Sequence, residues 1–220
     1  MDGVVIFGAG QIAEVAHYYL AHDSPHRVAA FTVDREFVGG GTLQGLPVLA
    51  VEEIRDAYPP SRYGVFVAVS FRQLNQLRAQ KLAALENLGY RAISYVSSRA
   101  AVWSGFEARP NTFIMEHNTV QPYARIGRNV IVWSGNHIGH HSEIADHCFI
   151  ASHAVVSGSV RVGEYSFVGV NATIRDNVRV GRSCVIGAGA LILKDTKDNE
   201  VYMGAATEAS RVPSHRLPKI

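Results

Sequence analysis

Over its second half the chain places apolar side chains with a period that belongs to neither a helix nor a plain strand. An aliphatic residue stands at every sixth position: Val96, Val102, Ala108, Ile114, Val120, Ile126, Val132, Ile138, Ile144, Ile150, Val156, Val162, Val168, Ile174, Val180, Ile186 and Ile192. Four residues after each comes a second, usually small residue, such as Ala124, Ser142, Cys148, Ala154, Ser166, Ala172, Cys184 and Ala190. Phe106, Asn118 and Asn136 hold the same register with bulkier or polar side chains. Hexapeptide periodicity marks a parallel β-helix. Each hexad supplies one short strand and a corner, and three hexads close a triangular coil. Coils stack at about 4.8 Å, so residues eighteen apart share a column. The series predicts an unbroken stack of roughly five coils.

Residues 1–95 carry a different pattern. Val4 to Phe7 reads as a buried strand, Gly8-Ala9-Gly10 as a tight turn, and Gln11 to Leu20 as a helix with Ile12, Val15 and Tyr19 on one face. A second strand, Arg27 to Val33, ends at Asp34. Gly39–Gly41 and Gly45-Leu46-Pro47 mark a loop or small hairpin, and Val51 to Tyr58 a short helix. A strand from Gly64 to Val69 leads through Ser70 into a helix expected over Phe71 to Leu88, and a last strand covers Arg91 to Tyr95. Alternating strands and helices predict a small Rossmann-like α/β domain with a parallel sheet over residues 1–95. The coils would then fill 96–194, leaving a tail at 195–220.

Composition narrows the classes. The chain has 220 residues, 47% hydrophobic, with a net charge of +2, which gives no case for nucleic acid. No apolar run approaches the ~20 residues of a membrane span, and the start lacks a basic leader, so a cytoplasmic location is the default expectation. Cys148 and Cys184 occupy interior positions two coils apart, about 10 Å, too far for a disulfide. They read as small core residues, without the exposure or basic partner that a covalent nucleophile wants.

Two motifs carry candidate chemistry. Gly8-x-Gly10-x-x-Ala13, with Asp34 24 residues after Gly10, has the form of a dinucleotide fingerprint. Its glycines would let phosphate approach a helix N-terminus, and Asp34 would accept from a ribose or base. A dinucleotide, a smaller nucleotide moiety and a purely structural turn all stay open; with only about 95 residues before the coils, the smaller moiety is favoured over NAD. The second motif is a crowd of histidines, six of ten lying between His117 and His153. His141, His147 and His153 repeat at one place in successive hexads and so face different sides of the triangle. One chain would not gather them on an ion, and no metal is expected, although a site shared between subunits stays open.

The stretch Ile138-Gly139-His140-His141-Ser142-Glu143-Ile144-Ala145-Asp146, with Ser157-Gly158-Ser159-Val160-Arg161-Val162-Gly163 one coil on, resembles the hexapeptide-repeat sugar acyltransferases. That family includes bacillosamine and perosamine N-acetyltransferases and the sialic acid O-acetyltransferase type. The similarity spans almost the whole chain and implies that the coils form a left-handed parallel β-helix behind a nucleotide-sugar-binding domain.

The resemblance further implies acetyl-coenzyme A as acyl donor, a nucleotide-linked amino-deoxysugar as acceptor, direct transfer, a homotrimer with active sites between subunits, and a place in lipopolysaccharide or O-antigen synthesis. It makes His140 the general base; imidazole, with a pKa of about 6.5, suits that task at neutral pH. His141 stands where relatives commonly carry Glu or Asp. Either Glu143, Asp146 or a neighbouring subunit therefore supplies the acceptor that orients the ring, or His141 shares or takes the role of base. The backbone of Gly158 matches the position near the acyl carbonyl, with a structural corner glycine as the alternative. Val170 and Ala188 match the pantetheine groove. Phe149 is expected beside the cofactor and, with Trp133, to shape the pocket near the site; Gly8, Gly10, Gln11, Asp34 and Ser70 are expected on the nucleotide sugar. Val201–Ala206 resembles the family's closing Gly-x-Pro-Ala-Lys segment without its proline and lysine. Rival readings are a sugar O-acetyltransferase, a non-catalytic scaffold, and a zinc enzyme of the carbonic-anhydrase kind.

Overall fold

Continuous apolar runs build the first sheet, as strands covered on both faces require. The computed structural model describes residues 1–216, so 217–220 of the expected tail lie outside the described residues. The chain runs β1 (Gly3–Phe7), α1 (Gln11–His22), β2 (Val28–Val33), β3 (Thr42–Leu43), β4 (Leu46–Ala50), α2 (Ile54–Ala57), β5 (Tyr63–Val67), α3 (Gln76–Asn87) and β6 (Arg91–Ala92). The sheet order is β3-β4-β2-β1-β5-β6, parallel except for the β3–β4 hairpin. After β1 the chain builds outward on one side and then crosses to the other. A topological switch point therefore lies between the carboxyl ends of β1 and β5, where α/β sheets hold ligands.

Three local expectations differ from the structure. The Gly45-Leu46-Pro47 loop opens into β4, a parallel partner of β2 that the sequence pattern did not reveal; Pro47 sits where β4 faces the edge hairpin. The helix expected over Val51–Tyr58 shrinks to Ile54–Ala57. The helix expected from Phe71 begins only at Gln76, because Gln73, Leu74 and Asn75 take left-handed φ values of 51°, 48° and 65°.

From Tyr95 onward every strand has two residues, one pointing out and one in. Three faces result. The first carries Tyr95–Val96, Phe113–Ile114, Ile131–Val132, Phe149–Ile150, Phe167–Val168, Val185–Ile186 and Val201–Tyr202. The second carries Ala101–Val102, Thr119–Val120, His137–Ile138, Val155–Val156, Thr173–Ile174 and Leu191–Ile192. The third has only Arg125–Ile126, Glu143–Ile144, Arg161–Val162 and Arg179–Val180. Register partners are eighteen residues apart, as in His137 with Thr119 and Val155, except at the last rung, where Val185 pairs with Val201. This is the expected left-handed parallel β-helix behind an α/β domain.

From Ile114 to Ile192 the inward aliphatics are at most 4% exposed, each contributing about 1.5–3 kcal/mol of burial. The series does break at Ala108, which is exposed and forms no strand, so the third face lacks its first rung. One methyl group between Glu107 and Arg109 buries too little to fix a coil there. The polar Asn118 and Asn136 are not flaws in the core: Asn118 Oδ1 accepts from Asn136 N (3.0 Å) and Asn136 Oδ1 from Ala154 N (2.7 Å). Cys148 and Cys184 are buried and free.

Corners follow one rule. The third residue after each inward aliphatic, from Asn111 through Ser183, has φ between 54° and 66°, with glycine at 135 and 189. Asparagine and histidine tolerate this left-handed conformation better than most residues. Four of the six clustered histidines, His117, His141, His147 and His153, are such corner residues, which accounts for most of the histidine density.

The outward side chains decide what covers each face. Tyr95, Phe113, Ile131, Phe149 and Phe167 of the first face pack with Phe66 and with the apolar side of α1. Arg78 of α3 is fully buried in this junction. Its guanidinium donates to the carbonyls of Asn129 (3.1 Å), His147 (3.2 Å), Cys148 (3.0 Å) and Ser70 (3.3 Å) and to Asn75 Oδ1 (2.9 Å). Burial pulls its pKa down to about 9, so it remains charged at neutral pH.

At the far end of α1, the Asp23 carboxylate accepts from Tyr95 OH (2.6 Å), Ser98 N (3.0 Å) and Ser97 Oγ (3.1 Å). Hydrogen bonds from Ser98, Tyr95 and Ser97 hold its carboxyl well below the usual range. A depressed carboxylate pKa stabilises the fold above the unfolded value and ceases to do so as pH falls toward the folded one. Wild-type urea midpoints should therefore drop below about pH 4, and Asp23→Asn should flatten that drop. An unchanged slope in the variant would show that other carboxylates carry the acid response.

Candidate active site

His140 occupies the corner after the second face, two residues past the inward Ile138. Its backbone N–H donates to Gln121 Oε1 at 2.9 Å, and its carbonyl accepts from Ser159 N at 2.8 Å, so the corner is held from the coils on both sides. The ring is exposed and lies against Gly158: a Cβ added there would sit 2.7 Å from both its Cε1 and its Nε2. Among the described residues the N–H of Gly158 has no protein acceptor. A ring nitrogen and a free backbone donor are thus brought together one coil apart.

The ring's other nitrogen has a partner. His140 Nδ1 lies 3.2 Å from His141 Nδ1, and His141 in turn packs on the Tyr123 ring at 4.7 Å. Only one of the two Nδ1 atoms carries the proton in that bond. With His140 as donor, its Nε2 keeps the lone pair and faces Gly158, the arrangement a base needs. Glu143 points elsewhere, to Arg125 at 3.5 Å, and the Asp146 carboxylate accepts from Arg128 N at 2.9 Å. Of the acids expected to orient His140, neither hydrogen-bonds it within the chain.

The remaining expected residues separate onto other edges. Val170 (44% exposed) and Ala188 lie on the corner before the second face, opposite the edge that carries His140 and Gly158. Phe149, expected beside the cofactor, is 3% exposed; it meets Phe71 edge-on at 5.2 Å and stacks on Phe167 at 5.6 Å, under the α/β domain. It is part of the junction because outward residues of the first face are covered.

Gly8, Gly10, Gln11, Asp34 and Ser70 gather at the switch point. Gly8 has φ of 126°, and a Cβ there would meet the Ala68 carbonyl at 2.8 Å, so β1 and β5 close on it. Gly10 is different: nothing lies within 4 Å of where its Cβ would stand, so packing does not demand glycine. No side chain caps α1 at this end, leaving backbone donors of its first turn to face open space. Asp34 follows β2 as expected but is held by Lys81 Nζ of α3 at 2.5 Å. Lys81 was not foreseen; its spacing of three from Arg78 on α3 was the available signal.

Among the described residues no group of three or more His, Cys, Asp or Glu is placed to hold a metal ion. No helix among them is long and apolar enough to cross a membrane.

The profile of the bacterial transferase hexapeptide family (six repeats) matches residues 123–158 and 159–194. PerB from Caulobacter crescentus, solved with CoA and GDP-perosamine, is 24% identical over 92% of this chain and 94% of its own, with a TM-score of 0.82. The acetyltransferase domain of PglB from Neisseria gonorrhoeae is 24% identical over 93% and 97%, with a TM-score of 0.82. WeeI from Acinetobacter baumannii is 18% identical over 92% and 96%, with a TM-score of 0.79. No curated protein matches the sequence significantly. These likenesses bear out the repeats and the fold read from the sequence: residues 123–194 match the bacterial transferase hexapeptide repeats, in a chain with the fold of the PerB, PglB-domain and WeeI structures.

Proposed function

We propose that this protein is an acetyl-coenzyme A dependent N-acyltransferase acting on a nucleotide-linked amino-deoxysugar. The observation that carries the reading is the contact of the His140 ring with Gly158, whose N–H is free. Acetyl-coenzyme A would supply an acyl carbon activated by a thiol leaving group. His140 Nε2 would take the proton the amine loses as its nitrogen bonds that carbon, and return it to the departing sulfur. The Gly158 N–H would donate to the oxygen on which negative charge develops. His141 would hold the ring through Nδ1, and among the described residues no carboxylate hydrogen-bonds it to stabilise the imidazolium. PerB, of the same fold, was solved with CoA and GDP-perosamine.

We further propose that the site forms between subunits of a homotrimer. His140 and Gly158 lie on one edge of the second face, and Val170 and Ala188 on the other. The α/β domain covers the first face, and its α1 meets Trp133 at the corner shared with Val170. No single chain closes that distance around the tube. The second face is suited to packing against copies of itself: its outward column, Ala101, Thr119, His137, Val155, Thr173 and Leu191, carries no carboxylate, lysine or arginine. The third face, by contrast, shows Arg125, Glu143, Arg161 and Arg179. Cyclic packing about the second face sets the His140 edge of one copy beside the Val170 edge of the next.

Release of free thiol from acetyl-coenzyme A with a panel of nucleotide-linked amino sugars tests the activity; no turnover with any of them rejects it. Mixing tests the shared site. A His140→Ala chain and a Gly10→Trp chain, each inactive alone, should regain activity when refolded together, and continued inactivity would place the whole site within one chain.

Gly158→Ala offers a finer probe. The backbone there tolerates alanine, but the methyl displaces the His140 ring. We expect kcat to fall roughly tenfold to a hundredfold through that misplacement, with the thermal midpoint nearly unchanged. Wild-type kcat in this variant would mean that the ring position seen here is not the reactive one.

A further inference from the structure

α3 touches both the switch-point crevice and the coils. Toward the crevice, Lys81 holds Asp34 at 2.5 Å. One turn earlier on the same helix, Arg78 is fully buried and reaches backbone carbonyls of two successive coils, at Asn129 and at His147 and Cys148. The same guanidinium turns back to the carbonyls of Val69 (3.5 Å) and Ser70 (3.3 Å), where the chain leaves β5.

Between these contacts the backbone is strained. Gln73, Leu74 and Asn75 are three successive non-glycine residues in the left-handed region, at φ of 51°, 48° and 65°. L-residues enter it singly as a rule, and such runs persist only where the surroundings over-determine them. Here Asn75, itself fully buried, donates from Nδ2 to the carbonyls of Tyr165 (3.1 Å) and Ser166 (3.3 Å) and accepts from Arg78 at Oδ1 (2.9 Å). The segment so held follows the carboxyl end of β5. There Ala68 N donates to the Phe7 carbonyl at 2.8 Å, just before the Gly8 turn.

We propose that Arg78 and Asn75 are positioning residues: they pin the 70–75 loop, and through α3 the Lys81–Asp34 pair, to the coils in the geometry that receives the phosphate-bearing part of the nucleotide substrate. The inference rests on the reading that a nucleotide sugar binds at the switch point. Neither residue touches the ligand. Arginine suits the task because its planar fork reaches carbonyls from separate segments in fixed directions, which a lysine ammonium on a flexible stem does not.

Arg78→Lys keeps the charge and loses the fork. In that variant, amide hydrogen exchange over residues 69–76 should rise about tenfold while the coils from Val155 to Ile192 stay protected. The KM for the nucleotide-linked sugar should rise about tenfold, with kcat and the KM for acetyl-coenzyme A within about twofold of wild type. Asn75→Gly retains the left-handed backbone, removes the amide contacts and should shift both readouts in the same direction by less. It serves as the test should Arg78→Lys not fold. Unchanged exchange, or raised exchange with an unchanged KM for the sugar, overturns the proposal. A wild-type protein that turns over no nucleotide-linked sugar would instead reject the underlying activity, and exchange alone would then decide whether Arg78 holds the loop.

Discussion

His140→Ala is expected to lower kcat by about 10²–10⁴-fold, the usual worth of a positioned acid–base group. The side chain is exposed and its bonds to neighbouring coils are made by its backbone, so the thermal midpoint should stay close to wild type. That contrast separates a chemical role from a structural one. His141→Ala removes only the Nδ1 partner, so its loss should be smaller. If the two histidines exchanged roles, the order of the two losses would invert. Turnover that survived both single substitutions would end the assignment of the base.

The largest effect on stability is expected at Arg78→Met. Methionine fills much of the volume but donates nothing, leaving the buried carbonyl of Asn129 without a donor and that of Cys148 with Ile131 N alone. Each unsatisfied buried acceptor costs about 1–3 kcal/mol, and removing an arginine from a hydrogen-bonded buried site costs about 3–5 kcal/mol in all. At about 2–4 °C per kcal/mol for a chain of this size, the melting midpoint should fall by roughly 10 °C. Arg182→Met is the control. Arg182 is an exposed arginine paired with Glu164 at 3.4 Å, and losing it should cost no more than about 1 kcal/mol. Equal midpoints for the two variants would show that the Arg78 contacts contribute no more than a surface pair.

Much of this was legible in the residues. The period of six gave the coils, the inward set and the eighteen-residue register, because a stacked tube repeats the same environment at each position. The break at Ala108 was not read from the pattern, although Ala108 is the one member of the series smaller than valine. A further regularity was present and less obvious: Asn111, Asn129, Asn171 and Asn177, with Gly135 and Gly189, share a phase with His141, His147 and His153. Residue types that tolerate positive φ mark that phase as the corner, which explains the histidines without a metal. The delayed start of α3 was not legible. Gln73 and Leu74 have no local reason to leave a helix; carbonyls of the coil at Tyr165 and Ser166, ninety positions away in sequence, draw Asn75 out of it.

By itself, then, the sequence determined the tube, the alternation of strands and helices before it, and the pairing of His140 with Gly158, since each follows from spacing along the chain or one step along a column. Only the tertiary structure decided which face the α/β domain covers, that Phe149 belongs to that junction, that His141 is the group bonded to His140, and that Arg78 joins the loop after β5 to the coils. Those outcomes depend on how the cross-section of the tube meets a separate sheet, and a periodic pattern specifies positions along columns but not what is placed against them.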